Sequence, residues 1–311
     1  MDESIVLVVP CYDEEESLDP FYEEIKRLRA RMDIPLSLLF VNDGSNDGTL
    51  RAIQDIASND PLAHYISFSR NFGKESALFA GLNKALELDS SYIALIDADL
   101  QDPPSLLADM YDLLLESSCD SVAAYRTTRH GERKVPSFFA HVFYRIMNQF
   151  SEVKLIEGAR DYRIMTNRMA RAAASLSERT RFSKGIFEWV GFDTRWIGYE
   201  NIPRKNGKSK WSFGSLLTYG IEGLLSFSTT PLKIVSSLGL FMFFVSFVFL
   251  LFIFLRALFF GDPVPGWPST ICIITLLSGL QLLCSGLLGL YLANTYEESK
   301  KRPLYFIKEE G

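Results

Sequence analysis

The sequence predicts an α/β domain built on a mostly parallel, helix-covered sheet, followed by two apolar helical spans. Three observations carry this. Over residues 1–125, short β-rich runs alternate with helix-like segments, which is the pattern of βαβ units. Acidic and amide residues fall directly after the β-rich runs, where parallel sheets bind ligands. Apolar residues make up 48% of the chain and gather in its last third.

The β-rich runs are "SIVLVVP", "LSLLFVN", "HYISFS", "YIALID" and "SVAAY". Helix-like segments separate them at 15–32, 47–58, 74–88 and 104–116. Residues 10–13, 42–47, 70–74 and 97–101 therefore each follow a strand. Further on, Phe139, Val142, Phe143, Ile146 and Phe150 share one helix face, as do Phe213, Leu216, Leu217, Ile221, Leu224 and Leu225. Such faces suit either a core or a membrane interface. The second helix runs directly into the first span, which favours the interface there.

Residues 234–255 carry no charge, and 267–292 form a second apolar stretch. About 20 apolar residues cross a bilayer as a helix. Lys and Arg orient the pair. Arg204, Lys205, Lys208, Lys210 and Lys233 precede the first span, and Lys300, Lys301 and Arg302 follow the second. The connecting "GDPVPGWP" has neither. Both flanks are expected on the cytoplasmic side of the inner (plasma) membrane, with Arg256 snorkelling and Trp267 at the outer interface. The chain thus divides into an α/β domain at 1–211, a juxtamembrane amphipathic helix at 212–230, a two-helix hairpin at 231–293 and a cytoplasmic tail at 294–311.

The net charge of -6 argues against a nucleic-acid partner. The four cysteines make no CxxC or Cys/His pattern and read as reduced thiols. No Gly-x-Gly-x-x-Gly or P-loop occurs, and three scattered histidines disfavour a His-based metal site or a Ser-His-Asp triad.

The stretch "LIDADLQDPP" poses a sharper question, because its strand ends on three acids and an amide. It is either a solvated capping turn or a cage for a divalent cation. Alternate residues face the same way, so Asp97 and Asp99 can share a site and Gln101 can add an amide oxygen. Such oxygens suit Mg²⁺ or Mn²⁺. In "VPCYDEEESL" and "VNDGSNDGT", Asn46 or Asp47 suits a helix cap, which leaves Asp43 as the better ligand candidate.

Seven stretches occur in order: "VPCYDEEESL", "VNDGSNDGT", "SRNFGKESALFAGL", "DADLQDPP", "ARDYRIM", "FSKGIFEWVGF" and "RKNGKSKW". Together they resemble the family 2 glycosyltransferases that act on polyprenyl phosphates, over about residues 5–211. The two spans extend the likeness to the bactoprenol glucosyltransferase type. The resemblance implies a GT-A (Rossmann-like) fold, a nucleotide-sugar donor, a polyprenyl phosphate acceptor in a lipid bilayer, and Mg²⁺ or Mn²⁺ held by Asp97, Asp99 and Gln101. It assigns Pro10, Tyr12, Asp13, Glu14 and Asp43 to nucleoside-contacting loops, with Ser45, Lys74, Asp97 and Ala98 also on the donor. It places Asp161, with Asp99, near the reacting centre, and Arg204, Lys205 and Lys210 in a mobile basic loop. Cys11 stands where the family often has a β-branched residue, and Asp13 where Asn is common. Arg126 and Arg133 of "YRTTRHGERK" suit an acceptor phosphate. The family also admits a homo-oligomer such as a tetramer, and a flippase partner.

The implied reaction is inverting, metal-dependent transfer of a hexose to undecaprenyl phosphate for surface glycan modification, with glucose from UDP-glucose the first choice. GDP-mannose, UDP-galactose, UDP-N-acetylhexosamine and UDP-aminoarabinose are the other donors. Two further readings are a processive polysaccharide synthase and an inactive scaffold. Phe192 stands where the synthases' Gln-x-x-Arg-Trp needs Gln, and the intact acids at 97 and 99 oppose the scaffold.

Overall fold

A computed structural model describes residues 3–127, 153, 154, 156–200, 228, 230–260 and 267–311. The chain divides into two units, Met1–Ser226 with Arg302–Gly311, and Phe227–Lys301. The aromatic helix expected at 139–150, the amphipathic helix at 213–225, and Arg133, Arg204, Lys205 and Lys210 lie outside the described residues.

In the first unit, β1 (Ile5–Cys11), α1 (Glu15–Arg29), β2 (Leu36–Asn42), α2 (Thr49–Asn59), β3 (Ala63–Phe68), α3 (Lys74–Glu87), β4 (Tyr92–Leu95), α4 (Leu106–Ser117) and β5 (Ser121–Arg126) follow in order. Then come β6 (Ala159–Thr166), α5 (Asn167–Ser175), α6 (Ser183–Trp189), β7 (Thr194–Tyr199) and, at the end of the chain, β8 (Ile307–Glu310). They build one eight-stranded sheet in the order β7-β5-β6-β4-β1-β2-β3-β8. Only β6 and β8 run against the rest. This is a GT-A-like α/β architecture with a mixed sheet.

The central strands read as unbroken apolar runs because helices cover both faces. Ile5, Leu7 and Val9 of β1 are buried with Leu36, Leu38 and Phe40 of β2, against Leu18, Phe21 and Ile25 of α1. The apolar residues of α1 recur every three or four positions, which places them on one helix face. On the other side, α3 packs so closely that a Cβ at Gly81 would lie 2.2 Å from a methyl of Val8.

Two features set up the site. β6 inserts antiparallel between β4 and β5, with Leu95 opposite Arg163. Continuing this register by two residues sets Asp97 opposite Asp161. The start of β6 therefore lies at the same edge as the carboxyl ends of the parallel strands.

β8 is the second feature: residues 302–311, which follow the second apolar helix, belong to the first unit. β8 pairs antiparallel with β3 and covers its otherwise open edge.

The second unit contains α7 (Thr230–Phe260) and α8 (Trp267–Ser299). The Tyr291 hydroxyl donates to the Ser228 carbonyl at 2.7 Å. Among the described residues one stretch, Leu277–Ser299, is long and apolar enough to cross a membrane, and Leu232–Met242 is a shorter apolar stretch.

Candidate active site

The loops after β1 and β2 are knitted by side chains that satisfy backbone donors. The Asp13 N–H donates to Ser45 Oγ at 3.0 Å, and Asp13 Oδ1 accepts from the Asn46 N–H at 2.8 Å. The Glu14 N–H donates to Thr49 Oγ1 at 2.8 Å. Asp13 has φ 48, a left-handed conformation that Asp and Asn tolerate better than most residues. Asp47 accepts from the Thr49 N–H at 3.0 Å, so it does serve the start of α2.

Asp43 is only 3% exposed, and its two oxygens accept from the Phe72 N–H at 2.6 Å and the Gly73 N–H at 2.9 Å. Burial pushes its carboxyl up to about 6, and the two amide hydrogen bonds only partly offset this. Gly44 lets the loops close: its φ is +63, and a Cβ there would lie 2.3 Å from the Arg70 carbonyl carbon. Asp43 thus ties the β2 loop to the segment that opens α3.

That segment leads to an acid–cation centre. Lys74 Nζ lies 2.7 Å from Asp97 Oδ1 and 2.6 Å from Asp161 Oδ2. The ammonium bridges the two carboxylates that the β4–β6 register places side by side. Arg160 lies 3.8 Å from Asp97 and 3.3 Å from Asp102. Asp102 is 1% exposed and also accepts from the Tyr199 hydroxyl. Arg126 lies 3.5 Å from Asp102 and donates to Gln101 Oε1 at 2.7 Å. Asp99 Oδ1 accepts from the Gln101 N–H at 3.1 Å, which shapes the tight turn at Leu100.

The two acids on either side of this centre are tuned in opposite directions. Burial alone would raise Asp161, but Lys74, Lys184 and Arg160 outweigh it and hold the carboxyl below the usual range. Burial likewise opposes the Lys74 charge, and Asp161 and Asp97 outweigh it and raise its ammonium. Asp99 is raised by burial and then by the neighbouring Asp97 carboxylate.

A glycosyl transferase family 2 model matches residues 6–175, more than half of the chain. The chain belongs to glycosyl transferase family 2. Its relatives match along nearly their whole length. The bactoprenol glucosyl transferase of Shigella phage SfV is 38% identical over 98% of this chain and 98% of that protein. The prophage bactoprenol glucosyl transferase homolog of Escherichia coli (strain K12) is 37% identical over the same shares. In fold, the family 2 domain is similar to the mannosyl-3-phosphoglycerate synthase of Rubrobacter xylanophilus, with a TM-score of 0.50 and 17% identity over 71% of each chain.

For this family 2 glycosyltransferase, the structure gathers most of the residues singled out from sequence at one edge of the sheet. Pro10, Tyr12, Asp13, Glu14, Asp43 and Ser45 lie on or beside the first two loops. Lys74, Asp97, Ala98, Asp99, Gln101, Asp161 and Arg126 lie on or beside the acid–cation centre. Two of these residues already have protein partners. The Gln101 amide oxygen, expected on a metal, accepts from Arg126. Arg126, expected on an acceptor phosphate, is engaged with Gln101 and Asp102.

The sequence reading gave no role to Arg160, Lys184 or Tyr199. Two of them lie in the shared stretches: Arg160 precedes Asp161 in "ARDYRIM" and Lys184 belongs to "FSKGIFEWVGF", while Tyr199 ends β7 outside them. For Arg160, a basic residue next to a candidate site acid was the available signal.

Carboxylate oxygens such as those of Asp97 and Asp99 are the donor type that Mg²⁺ or Mn²⁺ takes. Asp161 Oδ1 is buried without a hydrogen-bond partner. Between Asp161 and Asp97 the site already holds a positive charge, the Lys74 ammonium. Among the described residues, no three His, Cys, Asp or Glu side chains converge as a ready cage. Asp97 and Asp99 are the two carboxylates that the sequence offers for such an ion.

Proposed function

We propose that this glycosyltransferase transfers a hexose, glucose from UDP-glucose, to undecaprenyl phosphate at the inner face of the plasma membrane, with inversion at the anomeric carbon. The observation that carries the reading is the full-length likeness to proteins named bactoprenol glucosyl transferases. The site chemistry agrees with it.

The β1 and β2 loops form a nucleoside platform, with Asp13, Glu14, Asp43 and Ser45 offering acceptors beside rigidly held backbone. Lys74 stands at the step from this platform to the acids, where a diphosphate would run. Mg²⁺ or Mn²⁺, when held by Asp97 and Asp99, supplies Lewis-acid stabilisation of the leaving diphosphate. Arg204, Lys205 and Lys210 add cationic charge there.

The acceptor's phosphate has a second pKa near ~6 and is already an anion at neutral pH. It attacks the anomeric carbon without first losing a hydroxyl proton. Asp161 is held ionised by Lys74, Lys184 and Arg160, which makes it a weak base. Its role is to orient Lys74 and the sugar. Arg126 and Arg133 receive the acceptor phosphate, with Arg126 exchanging Gln101 and Asp102 for it.

The acceptor's tail stays in the bilayer, so the catalytic unit needs an anchor. α7 and α8, of 31 and 33 residues, serve as a two-helix hairpin with both termini cytoplasmic. Each exceeds the roughly 20 residues a span needs. A flippase-type partner would then carry the glycolipid outward for a surface glycan.

The test is a donor screen with the purified full chain, undecaprenyl phosphate, Mg²⁺ or Mn²⁺, and a panel of UDP- and GDP-sugars, read by mass spectrometry of the lipid. Glucosylated lipid from UDP-glucose is the expected result. Product from another donor alone would replace the sugar while keeping the reaction class. No product from any donor would overturn the acceptor.

A further inference from the structure

We infer that the chain's last ten residues, Arg302–Gly311, are a strap that positions the donor loop. The inference rests on the proposed donor site but is built on a different set of contacts.

The strap holds the β3 edge by backbone pairing. Ile66 lies opposite Glu310, Ser67 opposite Glu309 and Phe68 opposite Ile307. The Tyr65 and Gly311 backbones exchange two hydrogen bonds, at 2.7 and 3.0 Å. At its other end the strap leaves the ladder and grips the loop that follows β3. The Ser69 N–H donates to the Phe306 carbonyl at 3.0 Å. Tyr305 stacks on Phe68 at 5.1 Å with an interplanar angle of 13° and meets Phe79 of α3 edge-on at 6.2 Å. Phe306 lies 6.2 Å from Phe72. Glu310 pairs with Lys84 of α3 at 2.9 Å.

These contacts bear on the site because of what residues 69–74 hold. The Phe72 and Gly73 amides are the donors that Asp43 accepts, and the next residue, Lys74, bridges Asp97 and Asp161. Phe306 thus fixes this short loop from outside, and Tyr305 packs on the strand and the helix that flank it. An ordinary edge cover would need only the ladder. The aromatic pair at 305 and 306 instead reaches the loop and α3. The strap follows α8 in the chain, so the segment that holds the donor loop continues the second apolar helix.

The test compares the full chain with a variant ending at Pro303, which keeps α8, and with a Tyr305→Ala/Phe306→Ala variant that keeps the ladder. Amide hydrogen exchange across 69–76 needs no substrate, so it tests the strap even if UDP-glucose is not the donor. Faster exchange there in both variants is expected, with little change in β1 and β2. With UDP-glucose, KM for the donor should rise about tenfold while kcat stays within about twofold, as expected when a few weak contacts that shape binding are lost. A synthetic peptide of residues 302–311 should restore slow exchange to the truncated chain by adding back the strand. A Tyr305→Phe variant should behave as the parent.

Unchanged exchange in 69–76 in the aromatic variant would overturn the inference. So would faster exchange spread evenly over the whole sheet, which would make the strap a general stabiliser. Should the truncated chain fail to fold, the aromatic variant alone decides between these outcomes.

Discussion

The two halves of the site are held by different forces. Around Asp13, Asp43 and Ser45, side chains satisfy backbone N–H groups, and the loops lock to each other through short, local bonds. Around Asp97, Asp102 and Asp161, carboxylates are balanced by Lys74, Arg160 and Arg126. The first half is shaped before any ligand arrives. The second is charge-balanced by the protein's own cations, with which the proposed metal and substrate would exchange partners. Lys74 belongs to both, since it follows the amides that Asp43 holds and bridges the acids.

Substitutions should separate these halves. The largest effect is expected on the charged side. Asp99→Ala should lower turnover by roughly 10²–10³-fold, the scale of losing a group that stabilises transition-state charge. Substantial turnover in that variant would remove Asp99 from the proposed metal site.

Lys74→Met should come next, with a loss of about 10²-fold, because two neighbouring carboxylates lose their shared counter-charge. It should also change the response to acid. Asp161 is depressed below its unfolded value, so its contribution to stability is present above about pH 4 and lost as pH falls further. Urea unfolding between pH 2 and 7 should show a shallower acid limb for Lys74→Met than for the parent. Matching limbs would mean that Lys74 is not what holds Asp161 down.

Gly44→Ala tests the local side. A methyl at φ +63, against the Arg70 backbone, should cost about 1–3 kcal/mol. A parent-like thermal midpoint would show that the two loops are not clamped there.

The smallest effect is a pH signature of Asp43. Its folded value, about 6, lies above the unfolded one. The folded state therefore binds the proton more tightly, and this group's contribution to stability falls as pH rises from about 4 to 6. Asp43→Asn should remove that component while raising the donor KM. A decline that persisted in Asp43→Asn would belong to another group.

Much of this was legible in the chain. The first five strands, β1 to β5, appear as β-rich runs because strands buried on both faces must be apolar, and the helices between them show the three-to-four spacing of one buried side. The acids fall after strands, so their common edge followed from topology. Later elements were harder to read. β6 carries Arg163 among apolar residues, and its antiparallel insertion depends on pairing with strands distant in the chain. β8, with the sequence IKEE, is exposed and charged, as an edge strand must be, and nothing in its composition marks it as part of the sheet.

The sequence by itself determined the α/β fold of the first unit, the family and many of the residues that gather at one edge of the sheet. Periodicity, strand-end acids and motif order are local properties that survive reading in one dimension. Tertiary structure alone decided which charges meet. Lys74 reaches Asp97 and Asp161 because β6 returns antiparallel beside β4, and Gln101 faces Arg126 because the turn at Leu100 aims it there. It also brought the last ten residues back to the third strand. Those contacts join residues far apart in the chain, and strand register, which composition does not encode, sets them.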